Sequence, residues 1–172
     1  MTRVQRWGLT AGVLTLSVGC DQATKRVAVA MLKDGPVHHY LLDTVRLQYA
    51  ENAGAFLSLG AGLPPLVRQW VFTVGVGILL LGFAWAALTI RALPASRVVA
   101  LAALAGGGFG NWVDRVLQGG VVVDFMNVGI GPVRTGIFNV ADLAIMAGAL
   151  FLAWPVKGQA PPSPPPSAPD PA

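Results

Sequence analysis

Residues 71–90 read VFTVGVGILLLGFAWAALTI, a run without a single charged side chain. At about 1.5 Å per helical residue it covers the roughly 30 Å hydrocarbon core of a bilayer. No polar stripe interrupts it, so a water-facing helix is excluded and lipid must cover most of its surface. Working outward, residues 95–113 (ASRVVALAALAGGGFGNWV) form a second candidate span. Within it Gly106 and Gly110 make a small-xxx-small pair that lets a neighbouring backbone approach closely. Residues 137–156 form a third, interrupted only by Asn139 and Asp142 near its start.

Composition agrees with these spans. Of 172 residues 54% are hydrophobic and 12% charged, about half the charged share of a soluble domain. The N-terminal segment is less plain: residues 7–20 are uncharged but too short to cross alone, and Asp21, Lys25 and Arg26 follow directly. To span, this segment must carry Asp21 into the membrane margin, where Lys25 lies four residues on along one helical face and can pair with it. Lys25 and Arg26 can also snorkel to the headgroups. A rival reading makes residues 1–20 a cleavable signal, because Arg3 and Arg6 precede an apolar run ending in Ser17-Val18-Gly19-Cys20, a degenerate lipobox. Ser17 stands where that motif carries a Leu-like residue, and apolar sequence resumes at 27–32, so a membrane helix is the better account.

The expected fold is an all-α membrane protein with four transmembrane helices and a small surface β-sheet built from the first and third connections. Residues 44–49 alternate polar and apolar as a half-buried strand does, and Val121-Val122-Val123 is strand-like. The membrane domain is expected over 1–157, followed by a Pro-rich disordered tail, GQAPPSPPPSAPDPA, at 158–172. With four spans, Asp21, Asn52, Asn111, Asp114, Arg115, Asp124, Asn139 and Asp142 all fall on one side. Charge counting nearly ties: Arg3, Arg6, Arg91, Arg97 and Lys157 stand against Lys33, Arg46, Arg68, Arg115 and Arg134. Arg3 and Arg6, set hard against the first helix, favour both termini in the cytoplasm and the acidic face outside.

Several partner classes are excluded. The net charge of +4 is scattered and forms no patch for nucleic acid. Cys20 is the single cysteine, and His38 and His39 are adjacent without nearby co-ligands, so neither a disulfide nor a metal site is expected, and no cofactor.

The carboxylates carry the functional argument. An ionisable group within a membrane helix costs roughly 2.5–3.5 kcal/mol on insertion scales. Asp142, one turn inside the last span, regains only about 0.3–1 kcal/mol from the helix dipole. Asn139 lies three residues earlier on nearly the same face, as an N-cap or as part of a site. Asn111 likewise precedes Asp114 by three, and Asp114 with Arg115 could be an ion pair or an interfacial anchor. Asp124 follows three valines; desolvation there raises a carboxyl pKa, and a second carboxylate nearby separates the two titrations. Two acids sharing one proton is the arrangement of aspartic proteases. Ser58 and Ser96 lack a base, and Cys20 belongs with helix packing.

Taken in order, Asp21-Gln22-Ala23-Thr24-Lys25, Asn52-Ala53-Gly54-Ala55-Phe56, Gly110-Asn111-Trp112-Val113-Asp114-Arg115, Val123-Asp124-Phe125 and Phe138-Asn139-Val140-Ala141-Asp142 resemble the lipoprotein signal peptidases, also called type II signal peptidases. The likeness runs over about residues 7–154. It implies a bacterial inner-membrane aspartyl endopeptidase that binds diacylglyceryl-modified prolipoprotein among membrane lipid and cuts before the lipidated cysteine. By motif Asp124 and Asp142 match the catalytic pair. Asn52, Gly54, Asn111, Asp114, Arg115 and Asn139 match substrate-binding positions, and Asp21 and Lys25 a structural pair. A monomer is expected, with no cofactor. The glycines around Gln118-Gly119-Gly120 and at 127–132 leave the third connection's geometry open. Two other classes compete: an ion-conducting protein, which the one-sided clustering of acids disfavours, and a non-catalytic helical scaffold.

Overall fold

The computed structural model describes residues 1–54 and 62–154. Helix α1 (Arg3–Leu32) opens with a capping box in which Thr2 accepts from the Gln5 N–H and the Gln5 side chain accepts from the Thr2 N–H. It runs without a break through Asp21, Lys25 and Arg26 and ends before Gly35-Pro36. The first helix thus has 30 residues, about 45 Å, and carries Asp21 and Lys25 on it as their four-residue spacing led one to expect. Residues 1–20 are its first two-thirds, with Cys20 exposed on its surface.

The second rod is continuous over Pro65–Thr89. Pro65 starts α2 (Pro65–Gln69), a π-helical turn follows at Trp70–Gly75, and α3 (Val76–Thr89) completes it. The π turn has a visible cause. Trp112 donates its indole N–H to the Thr73 carbonyl at 2.7 Å, and Gly77 leaves the room the ring needs. The third rod is α4 (Ala95–Leu117), one turn longer than expected, so Asp114 and Arg115 lie on the helix. The fourth is α5 (Val140–Ala153), which begins three residues later than expected. The proposed tail at 158–172 lies outside the described residues.

Helix α4 is the centre of the bundle and packs against α1, α3 and α5. Successive residues of a helix point about 100° apart, so Gly106, Gly107 and Gly108 open three different faces. A Cβ at Gly106 would meet Ser17 of α1, one at Gly107 the Ala141 carbonyl of α5, and one at Gly108 Leu80 of α3. Gly148 of α5 answers from the other side, against the Ala100 carbonyl. At the far end, Arg97 donates to the carbonyls of Phe151, Leu152 and Trp154, closing the C-terminus of α5.

Among the described helices, Pro65–Thr89 alone is long and apolar enough by composition to cross a membrane, and Val140–Ala153 is a shorter apolar one. Helices α1 and α4 are less hydropathic because they carry Asp21, Lys25, Asn111, Asp114 and Arg115. All five are buried inside the bundle rather than turned to lipid. Outward-facing Ile78, Leu81, Trp85 and Leu150 are more than 60% exposed, a surface that water would not tolerate as a contiguous patch.

The sheet has four antiparallel strands in sequence order: β1 (His38–Tyr40), β2 (Val45–Asn52), β3 (Val122–Ile130) and β4 (Val133–Arg134). It joins the first and third connections, as expected, but β3 is much longer than the three valines and takes in Asp124, which follows them. Leu47, Tyr49, Phe125 and Met126 pack on Ala28 and Leu32 in the last turns of α1. Gly119 and Gly120, at φ +65 and +95, make the turn into β3. The β1–β2 turn has no glycine, and Leu41, Leu42 and Asp43 all take positive φ. Arg46 and then His39 hold the Asp43 carboxyl well below the usual carboxylate range, which braces that turn.

A methyl at Gly107 must push α5 away from α4. Gly107→Ala is expected to lose about 1–3 kcal/mol of stability, whereas Gly82→Ala, which meets nothing within 4 Å, should lose none. Thermal unfolding of the two variants in detergent checks this, and an equal effect would remove the close-packing account.

Candidate active site

The first turn of α5 determines the site. Four N–H groups at a helix start lack intrahelical partners. Here the Asn139 side chain accepts from the Asp142 N–H at 3.0 Å, and the Asp142 carboxylate accepts from the Asn139 N–H at 3.0 Å. Asp21, reaching across from α1, accepts from the Ala141 N–H at 3.0 Å. Asn139 is thus an N-cap, yet its amide nitrogen is free to do more. It donates to Asp124 Oδ1 at 2.6 Å, to Asn111 Oδ1 at 2.9 Å and, more weakly, to the Val123 carbonyl at 3.3 Å. Cap and site are one residue.

Asn139 ties together the acids of α5 and β3, its side-chain nitrogen donating to Asp124 and its backbone N–H to Asp142. Asp142 Oδ1 also accepts from Asn111 Nδ2 at 2.9 Å, and Asp124 Oδ2 from Asn52 Nδ2 at 2.9 Å. Asp124 is 2% exposed, Asp142 8% and Asn139 fully buried. Burial pushes the Asp124 carboxyl up to about 6; the Asn52 N–H opposes this, the Asp142 charge adds to it, and the Asn139 N–H opposes it again. Asp124 is desolvated, but its immediate partners are the amides of Asn52 and Asn139 rather than the apolar setting expected from the three valines.

Beneath the pair lies an ionic layer. Lys25 uses its three donors on Asp21 (2.8 Å), Asp114 (2.9 Å) and Asn111 Oδ1 (2.8 Å). Asp114 further accepts from Gln22 at 2.8 Å and from the Val123 N–H at 3.1 Å, so it pins the start of β3 one residue before Asp124. The geometry therefore groups Asp114 with Asp21 and Lys25, both its oxygens hydrogen-bonded, rather than with the open cleft. Gln22, which also donates to the Gly110 carbonyl, is a member that residue reading did not single out. Its one signal was its place beside Asp21.

Arg115 turns the other way. It donates to the Gly54 carbonyl at 2.6 Å and to the Asn111 carbonyl at 3.3 Å, and stacks 5.7 Å from the Phe72 ring. Asn52 folds onto the Gly54 N–H, bringing the end of β2 to Asp124 and Arg115 together. Arg115 Nε is buried with no hydrogen-bond partner among the described residues. A groove of about 410 Å³ runs from Arg115 and Asp142 along Phe72, Val76, Ile145 and Met146. One end is polar, the wall apolar. No acid lies within Pro65–Thr89, so no carboxylate path crosses that span. Among the described residues no three His, Cys, Asp or Glu side chains gather as metal ligands.

Two buried carboxylates, one of them lining an apolar groove between helices, fit a membrane enzyme. The comparisons with known proteins agree. One solved bacterial membrane enzyme superposes with a TM-score of 0.72 at 26% identity, covering 84% of this chain and 85% of that one. A second shares the fold, with a TM-score of 0.69 at 24% identity over 85% of this chain and 90% of its own. The family model described as Signal peptidase (SPase) II matches residues 13–156. A lipoprotein signal peptidase of Leifsonia xyli subsp. xyli is 36% identical over 146 residues, covering 80% of this chain and 62% of the relative. One from Treponema denticola is 33% identical over 148 residues, covering 84% and 83%. One from Sphingopyxis alaskensis is 38% identical over 134 residues, covering 77% and 75%. The chain belongs to the signal peptidase II family, a family of proteases.

Lys25 cannot be removed without leaving two buried carboxylates facing each other. Lys25→Met is expected to cost about 3–5 kcal/mol, read as a fall in unfolding temperature in detergent. A stability equal to wild type would show that the ionic layer does not hold the site together.

Proposed function

We propose that the chain is an aspartyl endopeptidase that removes the signal peptide from diacylglyceryl-modified prolipoproteins, cutting before the lipidated cysteine. The observation that carries this is that Asn139 donates to both acids, from its side-chain nitrogen to Asp124 and from its backbone N–H to Asp142, and that Asp142 lines an apolar groove. The pair shares one proton. One carboxylate takes a proton from water as its oxygen attacks the scissile carbonyl, and the protonated partner donates to the carbonyl oxygen. The tetrahedral diol then collapses, returning a proton to the departing amine, and the pair regains its starting state.

Asn52, Gly54, Asn111 and Arg115 hold the substrate backbone, with the buried Arg115 Nε as a donor for a peptide carbonyl. The apolar wall takes the hydrophobic signal segment and the acyl chains. Asn139 orients both acids. Asp21, Lys25 and Asp114 act as positioning residues. The enzyme works as a monomer without a cofactor in the inner membrane, the dyad at the outer boundary and both termini in the cytoplasm. Support for the depth comes from α1, where Asp21 lies about 27 Å along the helix from Arg3, close to one hydrocarbon thickness.

Asp124→Asn and Asp142→Asn are each expected to lower turnover by about 10²–10⁴-fold while the lipid-modified substrate still binds. Cleavage of a purified diacylglyceryl prolipoprotein in detergent measures this, and wild-type turnover in either variant would overturn the dyad.

The pH profile supplies a second check. Asp124 has a raised pKa, so the shared proton is present below about 6 and is lost as pH rises through that value. The profile of kcat/KM, which reports the free enzyme, should fall on its alkaline side from near pH 6. Asn52→Ala removes an N–H that favours the ionised form, and should move that limb upward. A limb that stays in place would detach Asp124 from the rate.

A further inference from the structure

Among the described residues, the end of the bundle opposite the dyad holds cations and no acids. Every carboxylate side chain of the described residues sits from Asp21 onward in α1, in the turn after it, in the sheet, or in the facing turns of α4 and α5. At the other end Arg3, Arg6 and Arg91 converge on a cleft of about 450 Å³ that Trp7 and Leu88 also line.

Arg6 is 5% exposed and donates to the carbonyls of Ala87 (3.1 Å), Arg91 (3.2 Å) and Leu93 (3.0 Å). These bonds close the C-terminus of α3 and fix the cleft's floor, and carbonyl dipoles offset part of that buried charge. Arg3 lies 5.6 Å from the centre of the Trp7 ring. The ion pairs of the described residues involve Lys25, His39, Arg46 and Arg134, and none of these three arginines. Three guanidinium groups around one concavity, with no acid of the described residues in reach, ask for an anion.

Position and shape say which kind. The cleft lies about one hydrocarbon thickness along α1 from Asp21, hence at headgroup level in the opposite leaflet. From it an open groove continues down α1 past Val4, Trp7 and Gly8. A Cβ on Gly8 or Gly12 would meet nothing within 4 Å, so that strip of the helix is left uncovered by the protein. A charged socket above an apolar lane matches a phosphate group carrying an acyl chain, whereas a free anion would use only the socket.

We propose that Arg3, Arg6 and Arg91, with Trp7, bind the phosphate headgroup of an anionic phospholipid in the leaflet opposite the dyad. The proposal rests on the membrane placement of the bundle and not on the chemistry of Asp124 and Asp142. Arg6 also holds α3, so Arg3 and Arg91 are the positions to vary.

The test uses the full chain in a neutral detergent, with phosphatidylglycerol, phosphatidylcholine or millimolar inorganic phosphate added. Native mass spectrometry and thermal unfolding are the readouts. Phosphatidylglycerol should give a retained adduct and a higher unfolding temperature, weakening as salt is raised. The Arg3→Gln/Arg91→Gln pair should bind it about tenfold or more weakly. Arg91→Lys, which keeps the charge, should stay near wild type. Arg3→Gln alone should show an intermediate loss, which keeps the test alive if the double variant does not fold. Cleavage in detergent should be unchanged in all of them, so failure here is separate from failure of the dyad. Equal binding of phosphatidylcholine, wild-type affinity in both Gln variants, or the full shift from inorganic phosphate alone would each overturn the proposal.

Discussion

Side chains are missing from α4 at positions 106, 107 and 108, and three helices take their places from that gap. In a bilayer the apolar driving force between helices is weak, because lipid tails are as apolar as leucine, so close van der Waals approach has to hold the bundle. Each glycine admits one neighbour. The spacing between α4 and α5 then sets how far Asn111 lies from Asn139 and Asp142, and the spacing between α4 and α1 sets whether Lys25 can reach Asp114. The polar layer of the enzyme is built on distances that three absent methyl groups allow.

That layer is affordable only because it is complete. Lys25 spends three donors on three acceptors, Asp114 takes bonds from Lys25, Gln22 and a strand N–H, and Asp21 caps a helix that is not its own. A half-satisfied network would be worse than an apolar core. The same bonds couple the membrane part to the sheet, since Asp114 fixes the entry to β3 and Asp21 fixes the start of α5. Those two elements carry Asp124 and Asp142, the proposed dyad. Asn139 joins them, capping α5 with its side-chain oxygen and donating to Asp124 from its side-chain nitrogen and to Asp142 from its backbone N–H.

The two ends of the bundle are chemically opposite. One gathers the carboxylates, amides and the sheet around an apolar groove. The other uses arginines against carbonyls, Arg6 at the end of α3 and Arg97 at the end of α5. Helix dipoles favour this division, with acids at the start of α5 and cations where α3 and α5 finish.

Residues 71–90 could be read as a span from composition, and the acids could be placed on one side by counting spans, because both follow from local chain properties. Asp124 and Asp142 were legible as costly carboxylates for the same reason. The helix through Asp21 and Lys25 could be argued from their spacing, but not the groups that neutralise it, which stand some 90 residues away in the chain, on α4. Strand β3 hid its length because it is buried on both faces over its first half, so no polar alternation marks it. β1, three exposed residues including both histidines, gives no local signal at all. The sequence by itself determined that apolar helices would carry acids toward one boundary. Only the tertiary structure decided which acids meet, because that depends on hydrogen bonds between distant segments whose partners no local pattern encodes.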